Sequence, residues 1–402
     1  MFKKPWKFKE GFLIGGILIV LGLILQAVAG PVDWSALAWP VNIILLAILL
    51  LVIDVMFLLR ERIHAFGWMM HAQAAVPAIA CTLGLTLLMG LTVQTDEGGI
   101  PGLSQMVTFW PFTLTYTWMV LIAGLTTLNR ISRWKWRDIP FVINHLGVFL
   151  AVTCAALGSA DLQQLEMTVR EGVPQWMAED GSGAEADPGL AIELHDFTIE
   201  EYPAVLALYD AATGRRVPDA TLAVADGTEE GVLGGWRIRI LEHIEDAAAV
   251  PGEEELRYAP WNEAGGACAV RVEAEKDGTR VGGWVAGGSF AFPMRPLELG
   301  GGYSLVMPAR EPRRYASDIS VYTRDGQEVR GTVEVNKPLK AGGWKIYQAG
   351  YDEEMGKWSE VSVFELVRDP WLPAVYTGIF LMLAGAACLF LLMAPKPVKK
   401  EV

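Results

Sequence analysis

Six apolar runs, each long enough to cross a lipid bilayer, dominate this chain: residues 11–30, 39–59, 74–93, 106–128, 141–160 and 371–393. A helix needs about 20 apolar residues to span a hydrocarbon core. Inside that core no water pairs with backbone N–H and C=O groups, so each run must satisfy them within itself, as a helix does. The one Asp, Glu, Lys or Arg within the runs is Asp54, near the end of the second. Trp39, Trp110 and Trp371 sit near run ends, where indoles favour the membrane–water interface. Ala27-Val28-Ala29 has the form of a signal-peptidase site. The run before it is longer than a signal-peptide core and more runs follow, so it is read as a retained span.

Charge separates these runs from the rest. The chain has a net charge of −13, yet residues 158–369 hold 38 acidic and 20 basic residues, net −18. The remainder is net +5. Its 13 basic residues are Lys3, Lys4, Lys7, Lys9, Arg60, Arg62, Arg130, Arg133, Lys135, Arg137, Lys396, Lys399 and Lys400. All fall in alternate connections, whereas segments 31–38 and 95–105 contain no Lys or Arg. The positive-inside rule then predicts cytoplasmic termini and an outward-facing acidic block. A chain this acidic lacks the basic face that nucleic acid requires, so no nucleic-acid partner is expected. Its 52 % hydrophobic content excludes general disorder.

The acidic block alternates with period two. Residues 236–240, 318–322, 332–335, 344–349 and 361–366 read as strands, and Asp226-Gly227, Asp277-Gly278 and Asp325-Gly326 as hairpin turns. The expected fold is therefore six transmembrane α-helices with a large all-β, antiparallel, sandwich-like domain inserted between the fifth and sixth. The expected boundaries are a five-helix membrane domain at 1–160, a β-rich extracytoplasmic domain at 161–369, and a closing helix with a basic tail at 370–402. Segment 180–189, rich in Gly, Ala and acids, reads as a mobile loop.

Chemistry is sparse. There is no H-E-x-x-H, G-x-S-x-G or P-loop, and no C-x-x-C or C-x-x-C-H. Cys81, Cys154 and Cys388 fall in the spans and only Cys268 lies outside, so all four read as small apolar packing residues. His195 and His243 fall in strands and read as structural or surface groups; His64 reads as a solvated loop residue and His71 as an interfacial one. His145 differs, because it lies four residues into the fifth run. An ionisable group inside a membrane helix is costly and marks a functional site by default. Imidazole is a good axial ligand for haem iron, and Arg133, Lys135 and Arg137 lie near enough in sequence to pair with propionates. The competing reading is a histidine bonded to a neighbouring helix, joined by Asn144, and the residues alone leave the two open.

Several stretches together resemble a known family: Asn144-His145-Leu146-Gly147-Val148-Phe149-Leu150 running to Gly158-Ser159-Ala160-Asp161; Glu311-Pro312-Arg313-Arg314-Tyr315; Val335-Asn336-Lys337-Pro338-Leu339; Gly343-Trp344-Lys345-Ile346-Tyr347-Gln348; and Asp369-Pro370-Trp371 before the last run. The sequence resembles the ResB (CcsB) family, membrane components of System II cytochrome c biogenesis, over about residues 141–393. The first four spans match the family plan less distinctively. The resemblance implies a multi-pass protein of the bacterial cytoplasmic (inner) membrane. With a ResC/CcsA-type partner it would carry b-type haem outward and support its covalent attachment to C-x-x-C-H apocytochrome c. A thiol-reducing thioredoxin-like protein would act indirectly. It also implies that His145 is the inner-leaflet axial ligand to haem iron. No catalytic residue is assigned, and the chain would at most be the non-catalytic half of a two-protein haem lyase. Arg313, Arg314, Tyr315 and Tyr347 read as strand-pairing residues. The alternatives are a membrane scaffold or assembly factor for a respiratory complex without haem contact, and an extracytoplasmic ligand receptor. Short inward loops offer a receptor no output domain.

Overall fold

The structure is a computed structural model that describes residues 5–95, 99–224, 230–251 and 256–392. Lys3, Lys4, Lys396, Lys399, Lys400, the Asp226-Gly227 turn and Met393 at the end of the last run lie outside the described residues. The chain divides into two compact units, Met1–Leu162 with Asp369–Val402, and Gln163–Arg368.

The first unit is helical. It contains α1 (Phe8–Ala29), α2 (Val41–Leu58), a short α3 (His64–Trp68), α4 (Ala72–Leu91), α5 (Trp110–Ser132), α6 (Ile139–Gly158) and α7 (Leu372–Leu392). All but α3 are long and apolar enough to cross a membrane. Large apolar side chains such as Leu58, Leu91 and Phe380 stay exposed on them, as lipid-facing residues must. Where helices meet, the residues are small. A Cβ on Gly147 of α6 would lie 2.3 Å from the Met382 nitrogen of α7, and one on Gly378 of α7 2.5 Å from the Ala151 nitrogen of α6. Small residues let the two backbones approach, and dispersion contacts between them then supply the association energy that lipid cannot.

One carboxylate ties three helix ends together. Asp161, just past α6, accepts hydrogen bonds from the Trp39 backbone N–H at 2.7 Å, Asn42 Nδ2 at 2.7 Å and Trp371 Nε1 at 2.7 Å. Asp369 Oδ1 accepts the N–H groups of Trp371 and Leu372, each at 3.0 Å, satisfying donors that the first turn of α7 leaves open.

The second unit is antiparallel β-sheet throughout its named strands. It begins with β1 (Gln163–Arg170), β2 (Ala178–Asp180), β3 (Glu185–Ala186) and β4 (Leu190–Glu201). Then come β5 (Val205–Asp210), β6 (Arg215–Ala223), β7 (Glu230–Leu233), β8 (Trp236–Val250), β9 (Arg257–Pro260), β10 (Ala267–Lys276), β11 (Thr279–Ala286), β12 (Leu297–Gly300) and β13 (Tyr303–Val306). It closes with β14 (Pro312–Thr323), β15 (Glu328–Glu334), β16 (Leu339–Ala341), β17 (Trp344–Tyr351) and β18 (Val361–Arg368).

These strands form two sandwiches, one nested in the other. Sheet β16-β17-β18-β1-β2-β3 faces sheet β15-β14-β4 over a core that includes Met167, Ile192, Ile319 and Phe364. Sheet β11-β10-β8-β7, with β9 beside β8, faces sheet β12-β13-β5-β6 over a second core that includes Leu206, Ile238, Val270 and Leu305. The second sandwich is thus an insertion between β4 and β14. The Asp-Gly turns at 277–278 and 325–326 join β10 to β11 and β14 to β15, with positive φ at Asp277, Gly278 and Gly326.

Segment 180–189, expected to be a mobile loop, holds the β2–β3 hairpin instead. Asp180 Oδ1 accepts the N–H groups of Ser182 and Ala184 and the Ser182 hydroxyl, an Asx-type turn that composition alone does not reveal.

Candidate functional site

His145 lies on the first half of α6, half-buried. Its Nδ1 is 3.0 Å from the carbonyl oxygen of Phe141, one turn earlier. With the proton on Nδ1 that bond is made, and Nε2 keeps its lone pair. Nε2 has no partner among the described residues. The imidazole stacks on the Phe141 ring, centroids 3.8 Å apart and planes 20° apart. The guanidinium of Arg130, in the last turn of α5, lies over the same ring at 4.8 Å and pairs with Asp138 at 3.2 Å. A cation, an aromatic plane and a basic nitrogen are therefore stacked at one end of α5 and α6.

Asn144 does not bond His145. Its Nδ2 donates to the Met382 carbonyl of α7 at 2.8 Å, and a Cβ on Gly385 of α7 would lie 2.4 Å from the Asn144 nitrogen. Asn144 and Gly147 thus lock α6 to α7, while the hydrogen bond and ring stack of His145 seen among the described residues are to Phe141 of its own helix. A ring nitrogen oriented through a backbone carbonyl is the arrangement that raises ligand basicity and fixes the tautomer at metal sites. Arg133, Lys135 and Arg137, the basic residues expected nearby, show no contact with the Phe141–His145 stack among the described residues; Arg130, which was not expected, makes it.

His64 is not a solvated loop residue. It begins α3, stacks edge-on against Trp6 with centroids 5.4 Å apart, and its buried Nε2 has no hydrogen-bond partner among the described residues. With His71, Arg60, Arg62 and Arg133 it lines a cavity of about 530 Å³. The segment between α2 and α4 holds the one-turn helix α3 and flanking turns, which pack His64 against Trp6, before α1.

The β unit absorbs the other named residues into its framework. His195 Nε2 bonds Ser320 Oγ across strands at 2.8 Å. Arg314 bridges β4 and β15 through Glu200 at 2.6 Å and Glu334 at 2.8 Å. Hydrogen bonds from Arg314 and Lys337 hold the Glu334 carboxyl well below its usual range, at about 2. Tyr315 packs on Tyr351, centroids 5.4 Å apart. Asn336 takes a left-handed turn with φ of 64°, and the Trp344 indole donates to the Pro188 carbonyl at 2.9 Å. His243 is the exception, because it converges with Glu245 and with Cys268, which sequence reading assigned to packing.

Comparison with known proteins bears on this framework. No curated protein matches the chain. Among solved structures, a cytochrome c haem lyase, CcmF, aligns at 11 % identity with a TM-score of 0.22, covering 80 % of this chain and 38 % of that one, so the chain spans well under half of its length. The model of the ResB-like family matches residues 303–360, the stretch that holds β13 to β17 with Arg314, Asn336, Trp344 and Gln348. Of the motifs that carried the resemblance, those at 311–315, 335–339 and 343–348 therefore lie in a segment, residues 303–360, that is similar to the ResB-like family.

Proposed function

We propose that the chain is a cytochrome c biogenesis component that holds haem as cargo at His145 and, with a ResC/CcsA-type partner, passes it across the cytoplasmic membrane for covalent attachment to C-x-x-C-H apocytochrome c. The carrying observation is the state of His145: an imidazole on an apolar helix, its Nδ1 bonded within that helix and its Nε2 without a partner among the described residues. His145 is half-buried, and an ionisable side chain on a membrane helix is costly, so an accessible ring nitrogen here is suited to a ligand that completes it. Haem iron takes such a nitrogen axially. Haem is a flat apolar ring with two carboxylates, and Arg130 beside the Phe141–His145 stack supplies a cation that one propionate can pair with.

In this reading the Lys- and Arg-bearing connections face the cytoplasm, which puts His145 in the inner leaflet and the β unit outside. The domain limits are then a five-helix part ending near residue 160, an outer β part to 369, and a closing helix with its tail. A second axial ligand comes from the partner, and a thiol-reducing thioredoxin-like protein keeps the apocytochrome cysteines available.

The test is co-expression with a ResC/CcsA-type protein and purification of the complex. The wild type is expected to carry haem with an intense Soret band. The variants His145→Ala and His145→Gly are expected to lose most of it, and added imidazole to restore it in His145→Gly. Undiminished haem in both variants removes His145 from the site. Loss without imidazole rescue, in a complex that still forms, also counts against ligation.

A further inference from the structure

Three potential ligands meet on the inserted sandwich, between buried Cys268 and the partly exposed His243 and Glu245, away from the groups used above. His243 and Glu245 lie on β8, and Cys268 lies on β10 beside it. Cys268 Sγ is 3.5 Å from His243 Nε2, and the same Nε2 is 3.3 Å from Glu245 Oε2. All three donor atoms fall within 4.8 Å of one another.

A β-bulge creates this meeting. Along the start of β8, Trp236, Ile238 and Ile240 point to the core, and Arg237 and Arg239 away from it. The ladder to β10 then slips, with Val272 opposite Ile240 but Arg271 opposite Glu242, so Leu241 is the extra residue. A one-residue insertion exchanges the two faces. His243 and Glu245, on the Arg237 side by strict alternation, thereby turn to the face of Val270 and Cys268. A second slip between Ala267 and Ala269 places Cys268 opposite the stretch after Ile244. Two bulges beside one cluster of reactive side chains form a built feature, since bulges commonly re-aim side chains at functional sites.

We propose that His243 Nε2, Glu245 Oε2 and Cys268 Sγ form a three-ligand site for a divalent transition metal of the zinc class, with its fourth position open to an exogenous ligand. Donor spacing carries this. A tetrahedral zinc with bonds of about 2.0 Å to N and O and about 2.3 Å to S has edges of about 3.5 Å (N···S) and about 3.3 Å (N···O). Those are the two separations found. The S···O edge closes by rotation of the Glu245 carboxylate, whose side chain is 54 % exposed. The donor set suits the metal: imidazole and thiolate favour zinc over magnesium or calcium. A supporting shell is present as well. Arg310 donates to Glu245 Oε1, which leaves Oε2 to face His243, and Arg310 also bonds Cys268 and lies 3.8 Å from Glu201. On binding, the Cys268 thiol releases its proton to solvent, so the metal meets one thiolate, one carboxylate and one neutral imidazole. Cys268 and Arg310 also line a cavity of about 530 Å³ with Phe290, Met294, Met307 and Trp358, which gives an outside ligand room to reach the metal. This site stands independently of the reading of His145.

The full chain, purified in detergent with its thiols reduced and stripped by chelator, is titrated with Co(II) and then Zn(II). The expected result is one Co(II) per chain with a near-ultraviolet thiolate-to-cobalt band that Zn(II) abolishes. Cys268→Ser is expected to lose the band, and His243→Gln to weaken Co(II) binding by at least about 10-fold. A variant with Cys81, Cys154 and Cys388 all changed to Ser is expected to keep it, which secures the test should Cys268→Ser fold poorly. Absence of the band in the wild type, its persistence in Cys268→Ser, or its loss from a folded triple-Ser variant overturns the proposal.

Discussion

The indole N–H of Trp371 donates to Oδ2 of Asp161 at 2.7 Å, joining the start of α7 to the end of α6 across 210 residues of chain. The same oxygen accepts from Asn42 Nδ2, so one carboxylate serves residues from three helices. Leaving a buried donor unpaired costs about 1–3 kcal/mol. Asp161→Ala takes one of two acceptors from the fully buried Asn42 Nδ2, which keeps the Leu157 carbonyl, and removes the acceptor of the Trp371 indole and of the Trp39 N–H. It should therefore lower unfolding stability in detergent by about 2 kcal/mol or more, and Trp371→Phe by about 1 kcal/mol. Thermal unfolding of the two variants beside the wild type checks the order.

Close approach of α6 and α7 positions His145 indirectly. A side chain at Gly385 collides with the Asn144 backbone, the residue before the histidine. Overpacking of this kind costs about 1–3 kcal/mol and shifts backbone. Gly385→Val should therefore lower haem retention at least several-fold in the co-expressed complex. Gly90→Ala, at a helical position with open space around its Cβ, should leave retention unchanged and gain up to about 1 kcal/mol of helix propensity. Soret absorbance per chain distinguishes the two outcomes.

Acid should weaken the first sandwich through Glu334. Hydrogen bonds from Arg314 and Lys337 depress its pKa to about 2 in the folded chain, below the unfolded value of about 4.3. The stabilisation is therefore complete above the unfolded value and is lost as pH falls from there through about 2. The melting temperature of Glu334→Gln should lie below wild type at neutral pH, and the gap should close between about pH 4.3 and about pH 2. A gap that stays constant across that interval contradicts the linkage.

Two separate cores should respond separately to cavities. Phe364 fills the first and Leu305 the second, both with no exposure. Phe→Ala in a core costs about 3–5 kcal/mol and Leu→Ala about 2–5 kcal/mol. Leu305→Ala should raise amide exchange first in β5–β13, and Phe364→Ala first in β1–β4 and β14–β18. Exchange that rises equally in all strands of either variant would show one cooperative unit instead.

Much of this architecture follows from residue order alone. Long uncharged runs have one way to pair their backbone groups in lipid, so the helices at Phe8–Ala29 and Leu372–Leu392 were legible to within a few residues. Alternation in 361–366 gave β18, and the Asp-Gly pair at 277–278 gave its hairpin. His145 stood out because a titratable side chain within such a run is rare. What no local pattern carries is partnership at a distance. The Asp161–Trp371 bond, the choice of Asn144 to bond α7 rather than His145, and the division of one β segment into two cores depend on residues far apart in sequence. The Leu241 bulge is the clearest case: period-two reading sends His243 outward, and only the ladder to β10 reverses it. Side-chain direction in a strand is a parity, and a single unpaired residue, visible only once the neighbouring strand is in place, changes its sign for everything that follows.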